Sequence, residues 1–534
     1  MLLSGNSGPE LDGPQGGRSR TVSAGLGLLF SVLLLLSVIS CGGSPSGNSA
    51  AAPAPTPNPQ AAGPSAPTGD EFTIIALPDT QYYSRDFPDI FRAQTQWIAD
   101  HVQDQNIKLV LGLGDIVDNG ADPAQWQNAD SAVRTLDGRV PYMMAIGNHD
   151  YANARPAGRT ANALSFNQFF GPARYASAAW YRGSYPRGSN ENFYGVVNIS
   201  GRDFLVLVIE FDARDSALAW ADGILKANQD KDAIIVTHSF TFTDNTRLSH
   251  CDPNSAASFG VGADNDGEDM WWKLVRKYPN VRMVLSGHVN TGDGTGHRVD
   301  LGDGGNLVNQ MLSDYQSEAM GGGGFLRILK ISLSQNRISV TTYSPWLNSF
   351  KTDDHNQFTV PYVAQGGGAT PGTVYGRVKD IVTCAAVPGV SVAYSGGSAV
   401  TDAEGNFSMP ALATRTIPIT TTASGLVSDS RTATATADPA QPSPTKIFVS
   451  TAGRVTGYIR TAAGAAIPGA TLNFIGGDLR FSSTVTTDGN GFYDSGPIAI
   501  GSYSVLASAS GYTGARATTS VTAGSSQTLD MSLK

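Results

Sequence analysis

Asp79, Asp115, Asn148, His149, His238 and His288 carry carboxylate, amide and imidazole groups, the donors that hold divalent cations where no thiolate is present. Five of these positions close a short apolar, β-branched run. Thr73-Ile74-Ile75-Ala76-Leu77 precedes Asp79, Leu109-Val110-Leu111 precedes Asp115, and Met143-Met144-Ala145-Ile146 precedes Asn148. Ile234-Ile235-Val236 precedes His238, and Met283-Val284-Leu285 precedes His288. Taken singly, each polar residue has a plainer use as a turn former or cap. Five in chain order, each at the end of such a run, point to a metal site.

The runs must be the elements that position these residues. Short continuous apolar runs read as buried strands, and open α/β sheets place their ligands at the carboxyl ends of the strands. Between them Ile90, Phe91, Gln94, Trp97 and Ile98, and again Leu218, Ala221, Ile224 and Leu225, follow helical spacing. Strands alternating with helices predict an α/β layered domain over residues 70–365.

Asp79-Thr80-Gln81, Gly114-Asp115-Ile116-Val117-Asp118, Gly147-Asn148-His149-Asp150, His238 and Gly287-His288-Val289-Asn290 resemble, in this order, the motifs of the calcineurin-like metallophosphoesterases. Gln310 to Gln316 and Thr342 to Pro345 resemble stretches of its secreted bacterial members. The resemblance implies a layered β-sandwich flanked by helices and a phosphoester substrate, monoester or diester. Two divalent ions would neutralise the ester, lower the pKa of a bound water and align the phosphorus for attack. By the same resemblance Asp115 bridges the ions, Asp79 belongs to the first site, and Asn148, His238 and His288 complete the second. His149 would contact the phosphate or protonate the leaving oxygen, with Asp118 orienting its ring. Asp150 is expected to support the others.

The family pattern has histidine where this chain has Gln81 and again where it has Asn290. Among Mn, Fe, Zn, Mg and Ca, a first site with amides in place of imidazoles is expected to be the weaker one and to favour Mn, Mg or Ca. Loss of both histidines also keeps open an alternative, a catalytically impaired surface binding or adhesion protein; retention of Asp79, Asp115 and His149 speaks against it. Tyr151, Arg155, Arg159, Tyr175, Trp180, Tyr181, Arg182 and Tyr185 fall in a long segment beside the site. They are expected either to contact substrate or merely to cover the sheet. His250, His297 and His355 match no motif and are expected in loops.

Of 534 residues, 41% are hydrophobic and 15% charged, and 61 are glycine, which suits a multidomain globular protein rich in strands and turns. A net charge of −9 without a Lys/Arg run gives no nucleic-acid scaffold role. Arg18 and Arg20 precede an apolar stretch from Val22 to Ser40, and Val38-Ile39-Ser40-Cys41 resembles the bacterial lipobox. Residues 1–41 are therefore expected to be a lipoprotein signal peptide with Cys41 lipidated, and the mature chain to be exported and membrane-anchored at the cell surface or periplasm. An uncleaved transmembrane anchor is the alternative. Residues 42–69, rich in proline and alanine, predict a disordered tether. Cys251 and Cys384 read as ordinary residues, with pairing the less favoured outcome.

Beyond residue 365 a unit of about 80 residues repeats. Val374-Tyr375-Gly376-Arg377-Val378 parallels Val455-Thr456-Gly457-Tyr458-Ile459, and Val387-Pro388-Gly389 parallels Ile467-Pro468-Gly469. Residues 370–450 and 451–534 are expected to be two all-β, immunoglobulin-like sandwich modules. They resemble carboxypeptidase regulatory-like domains, which implies spacers or weak glycan or surface contacts.

Overall fold

The computed structural model describes residues 63–67, 69–152, 163–255, 265–363, 371–412, 416–428, 431–435, 444–476 and 481–534. The signal segment with Cys41, most of the tether, Arg155 and Arg159 lie outside the described residues.

Fourteen strands build the first domain among the described residues: β1 (Phe72–Leu77), β2 (Ile107–Gly112), β3 (Tyr142–Met144), β4 (Tyr181–Tyr185), β5 (Asn192–Ile199), β6 (Arg202–Ile209), β7 (Asp232–Thr237), β8 (Val281–Ser286), β9 (Thr295–Leu301), β10 (Leu307–Ser313), β11 (Leu326–Ser332), β12 (Arg337–Ser344), β13 (Ser349–Lys351) and β14 (Phe358–Pro361). One sheet has the order β13-β12-β11-β1-β2-β3 with β14 beside β12, the other β4-β5-β6-β7-β8-β10-β9. In the first sheet β1, β2 and β3 run parallel, and in the second β7, β8 and β10 do. The carboxyl ends of each parallel set therefore share one edge.

Side chains alternate across each strand. Ile74, Ala76, Leu109 and Leu111 from one sheet pack with Val206, Val208, Ile234 and Met283 from the other in a core between them. Ile75, Leu77 and Val110 point the other way, onto helices Pro88–Asp100 and Pro123–Val133. Leu205, Leu207, Ile235 and Val284 meet the helices Asp215–Ala227 and Gly267–Lys273. Burying each such aliphatic side chain stabilises by about 1.5–3 kcal/mol, enough collectively to fix where every strand ends. The result is the expected β-sandwich flanked by helices.

The two C-terminal modules are all-β, with separate apolar cores around Val374, Val392 and Ile447 and around Val455, Leu472 and Val505. They share one strand, Thr445–Thr461. Its first part pairs in parallel with Pro371–Asp380, and its second with Ser526–Thr528 and Met531–Leu533. The boundary expected at 450/451 thus falls inside a continuous strand.

Several expectations are corrected. Residues 63–67, assigned to the tether, lie against the first domain, where the Pro64 carbonyl accepts Gln105 Nε2 at 3.0 Å and the Ser65 carbonyl accepts the Lys330 ammonium. An extended Pro-rich segment leaves its carbonyls without a ladder, so they take donors from the domain. Cys251 and Cys384 form a disulfide between the first domain and the first module. His297 sits buried in β9, its ring stacked on Phe358 at 4.4 Å. Tyr175 stacks on Tyr181 and Phe193, and Trp180 packs tilted against Tyr175 and edge-on to Tyr181, the second of the two roles expected of this segment, covering the sheet.

The first module is docked, not spaced. Asp300 on β9 accepts Arg298 Nε at 2.7 Å and the Arg247 guanidinium, Glu268 pairs with Arg247 at 3.3 Å and with Arg431 of the module at 3.1 Å, and Arg298 also reaches the Pro444 carbonyl at 3.0 Å. Arg247, Glu268, Arg298 and Asp300 are all buried.

Candidate metal centre

The loops after β1, β2, β3, β7 and β8 converge as their sequence placement requires. Oxygen or nitrogen atoms of Asp115, His238 and His288 lie within 4.8 Å of one another. His238 Nε2 stands 3.2 Å from Asp115 Oδ2 and 4.0 Å from Asp79 Oδ2. Asp115 Oδ1 accepts the His149 backbone N–H at 2.8 Å, and the Asp79 carboxylate accepts the His288 backbone N–H at 3.1 Å. Asp115 at φ 45° and His288 at φ 74° both occupy the left-handed region, a strained backbone that Asp and His tolerate better than most residues and that collects at functional sites.

Each histidine has one ring nitrogen committed to a main-chain carbonyl. His238 Nδ1 lies 2.9 Å from Leu113 O, His288 Nε2 lies 2.8 Å from Asn254 O, and His149 Nδ1 lies 2.8 Å from Asp118 O. A carbonyl only accepts, so the nitrogen facing it carries the hydrogen and donates. At His238 the other nitrogen, Nε2, faces Asp115 Oδ2. This is the arrangement by which an outer partner fixes the tautomer of a metal-ligating imidazole.

Asp118 therefore orients His149 differently from the expectation. Its backbone oxygen holds the ring, while its carboxylate stands 3.6 Å away and pairs with Arg85 at 2.7 Å. The loop supplies that carbonyl because Gln125 Oε1 accepts both the Asp118 and Asn119 N–H groups at 2.9 Å, tying it to the helix that Asp122 caps.

Burial and the neighbouring carboxylates of Asp314 and Asp115 raise Asp79 well above the usual carboxylate range. Burial would raise Asp115 too, but His238 and His149 outweigh it and hold it down to about 2. Burial and Asp115 push Asp150 up to about 7; its two oxygens accept Val117 N–H at 3.0 Å and Gly147 N–H at 2.8 Å, the supporting part expected of it. At His149 the neighbouring Asp115, and Asp118, outweigh burial and raise the imidazole above its ordinary value.

The donors fit divalent cations. Gln81 Oε1, Asn148 Oδ1 and His238 Nε2 are buried without a hydrogen-bond partner, a costly state for polar atoms unless an ion satisfies them. Three motif glycines make the same point. A Cβ on Gly147 would stand 2.1 Å from Asp115 Oδ1, one on Gly287 2.1 Å from Asp79 Oδ1, and one on Gly114 2.4 Å from His238 Nδ1. Gly147→Ala is expected to displace the Asp115 carboxylate and lower kcat/KM by about 10- to 100-fold, as loss of a ligand's support does. Steady-state kinetics beside an unchanged circular dichroism spectrum checks this.

Asn290 is half-buried, its carbonyl accepting the Ser317 hydroxyl at 3.2 Å. Asp314 joins the cluster. It follows β10, is buried, and hydrogen-bonds Asp79; burial and Asp115 push it up to about 7. Sequence reasoning placed Asp314 in a resembling stretch without giving it a role. The signal was present, since it ends a strand as the others do, but the polar Asn309 and Gln310 interrupt the apolar run.

Residues 72–291 match the family model of the calcineurin-like phosphoesterases, and residues 454–534 that of the carboxypeptidase regulatory-like domain. The uncharacterized protein YvnB of Bacillus subtilis (strain 168) is 35% identical over 296 residues, 54% of this chain and 21% of the relative. The chain thus spans about one fifth of the length of the curated relative it matches. Among solved structures, a purple acid phosphatase from yellow lupin (Lupinus luteus) seeds aligns with TM-score 0.36 and 14% identity, over 56% of this chain and 55% of that one. GAP50 of Plasmodium aligns with TM-score 0.34 and 12% identity, over 56% of this chain and 90% of that one.

Proposed function

With residues 72–291 a calcineurin-like phosphoesterase domain and residues 454–534 a carboxypeptidase regulatory-like domain, we propose that this chain hydrolyses phosphate mono- or diesters outside the cytoplasm, held to a membrane through Cys41. One observation carries the reading: Asp115, His238 and His288 bring one donor atom each to within 4.8 Å of one another, and His238, with Nδ1–H on the Leu113 carbonyl, holds Nε2 3.2 Å from Asp115 Oδ2. Asp115, Asn148, His238 and His288 would hold one divalent ion; Asp79, Gln81 and Asp314, sharing Asp115, would hold the other. Bound ions supply positive charge against the phosphoryl oxygens and make water a stronger acid.

The chain's own residues do the rest. Asp115 and Asp79 present anionic oxygens on backbones held by the loops of β1 and β2. His149, a third exposed on its side chain, keeps Nδ1–H on the Asp118 carbonyl and offers Nε2 outward. Protonated at Nε2, it would pass that proton to the leaving oxygen. That role has a specific signature. His149→Ala is expected to lower kcat by about 10²- to 10⁴-fold on alkyl phosphates, whose leaving oxygens need a proton, and far less on aryl phosphates. An equal loss on both leaves contact with the phosphate as its role, and no loss on either overturns the assignment.

The first site, with oxygen donors alone, is expected to bind Mn, Mg or Ca more weakly than the second binds its ion. After chelation, calorimetric titration with Mn should show two unequal steps; two equally tight steps contradict this. Asp314 beside Asp79 adds a carboxyl group to the first site, which speaks against the impaired binding protein. The anchor has its own test: Cys41→Ser should move the protein from the membrane to the soluble fraction.

A further inference from the structure

We infer that the first C-terminal module is part of the support of the metal centre: through Cys384 and Lys446 it fixes the turn at residues 249–255, whose Asn254 carbonyl sets the ring of His288. This rests on the reading of His288 as a metal ligand.

Residues 249–255 contain neither helix nor strand. Locally the turn is closed by Asp252 Oδ2, which accepts Ser249 N–H at 2.8 Å and Ser249 Oγ–H at 2.6 Å. Two further fixtures come from the module. The Lys446 ammonium bonds that same Asp252 oxygen and also the Arg247 carbonyl at 3.0 Å. Cys251 is bonded to Cys384 and packs against Ile381, Phe448 and Ala499. Three residues after Cys251, the Asn254 carbonyl accepts His288 Nε2–H at 2.8 Å. A displacement of the turn is therefore a displacement of the group that orients a ligand.

The repeated module shows which of these residues the sandwich itself requires. The Asp380 N–H to Ala385 carbonyl bond in the first module corresponds to the Thr461 N–H to Ala465 carbonyl bond in the second. The residue before the acceptor is Cys384 at φ 58° in one and Gly464 at φ 86° in the other. The position calls for left-handed backbone, which glycine adopts freely and cysteine does not. The first module accepts that strain, and the cysteine there reaches across to the catalytic domain. Likewise Gly376 faces the Thr445 carbonyl and Gly457 the Leu529 carbonyl, so the next residue is Lys446 in one module and Asp530 in the other. Asp530 accepts the Tyr458 N–H at 2.8 Å. Both contacts to the turn are thus absent from the sister module's fold and belong to docking.

Loss of an outer partner of a metal-ligating histidine weakens binding by about 10- to 100-fold. In the full chain, Cys251→Ser/Cys384→Ser is expected to bind the tighter of two Co²⁺ ions about 10-fold more weakly, with an altered visible spectrum because the His288 ring turns. Saturating Co²⁺ should restore kcat. Lys446→Gln, with the disulfide intact, should shift affinity and spectrum the same way to a smaller extent, and decides the matter if the double variant does not fold. His288→Ala should lose this ion. Wild-type affinity and spectrum in folded variants of both kinds, beside loss of the ion in His288→Ala, would overturn the inference alone. Retention of both ions by His288→Ala overturns the ligand reading, and the inference with it.

Discussion

Asp115→Asn is expected to lower kcat/KM by about 10³-fold or more, roughly 4 kcal/mol of transition-state stabilisation, and to strip at least one ion from the protein. The substitution isolates charge from shape. Asparagine tolerates the φ of 45° at this position and can still accept the His149 N–H that Asp115 Oδ1 accepts at 2.8 Å. What it cannot do is offer two anionic oxygens to two cations at once. The fold should therefore persist, with a melting profile close to that of the chelated wild type, while steady-state kinetics and metal analysis both register the loss. A variant that keeps wild-type turnover would show that Asp115 does not bridge.

The second large effect is on stability. Asp300→Ala should destabilise the protein by about 3–5 kcal/mol, because it leaves the buried Arg247 and Arg298 guanidinium groups without the carboxylate that both contact. Gln310 Nε2, which donates to Asp300 at 2.9 Å, loses its acceptor as well. A drop of roughly 10 °C in the apparent melting midpoint is expected, measured by calorimetry on the oxidised full chain. The pH dependence has a definite sign. Burial would raise Asp300, but Arg247 and Arg298 outweigh it and hold the carboxylate well below its ordinary value. A folded pKa below the unfolded one, about 3.9, gives a contribution complete above that pH and lost as pH falls toward the folded value. Wild type and Asp300→Ala should thus differ by a constant amount from about pH 5 to 8 and converge in acid.

Much of the first domain was legible because its strands are short, apolar and buried, and because each site strand ends in a residue that a simple strand does not need. Ile74, Leu109, Ile234 and Met283 announced both the sheets and their core. The repeat after residue 370 was legible for a similar reason: Gly376 and Gly457 recur where a carbonyl of a neighbouring strand leaves no room for a side chain. What escaped the sequence was whatever depends on backbone atoms or on distant segments meeting. Nothing in the residue type of Asp118 says that its carbonyl, not its carboxylate, holds His149 at 2.8 Å. Cys251 and Cys384 are 133 residues apart in different domains, and Arg247, Glu268, Arg298, Asp300 and Arg431 look like surface charges until docking buries them. That docking also bears on how the protein is handled. A fragment ending at residue 365 would expose the network and free Cys251, so activity is best tested on the full chain.

The most direct measurement is hydrolysis of an aryl phosphate and a bis-aryl phosphate diester by the oxidised full chain, first after chelation and then with Mn, Mg, Zn or Ca restored. Turnover that vanishes on chelation, returns with a divalent ion, and is lost in Asp115→Asn is the predicted result, and the preferred ester distinguishes monoesterase from diesterase. No turnover of either ester with any of the four ions, by a protein that titration shows to have bound them, would contradict the account.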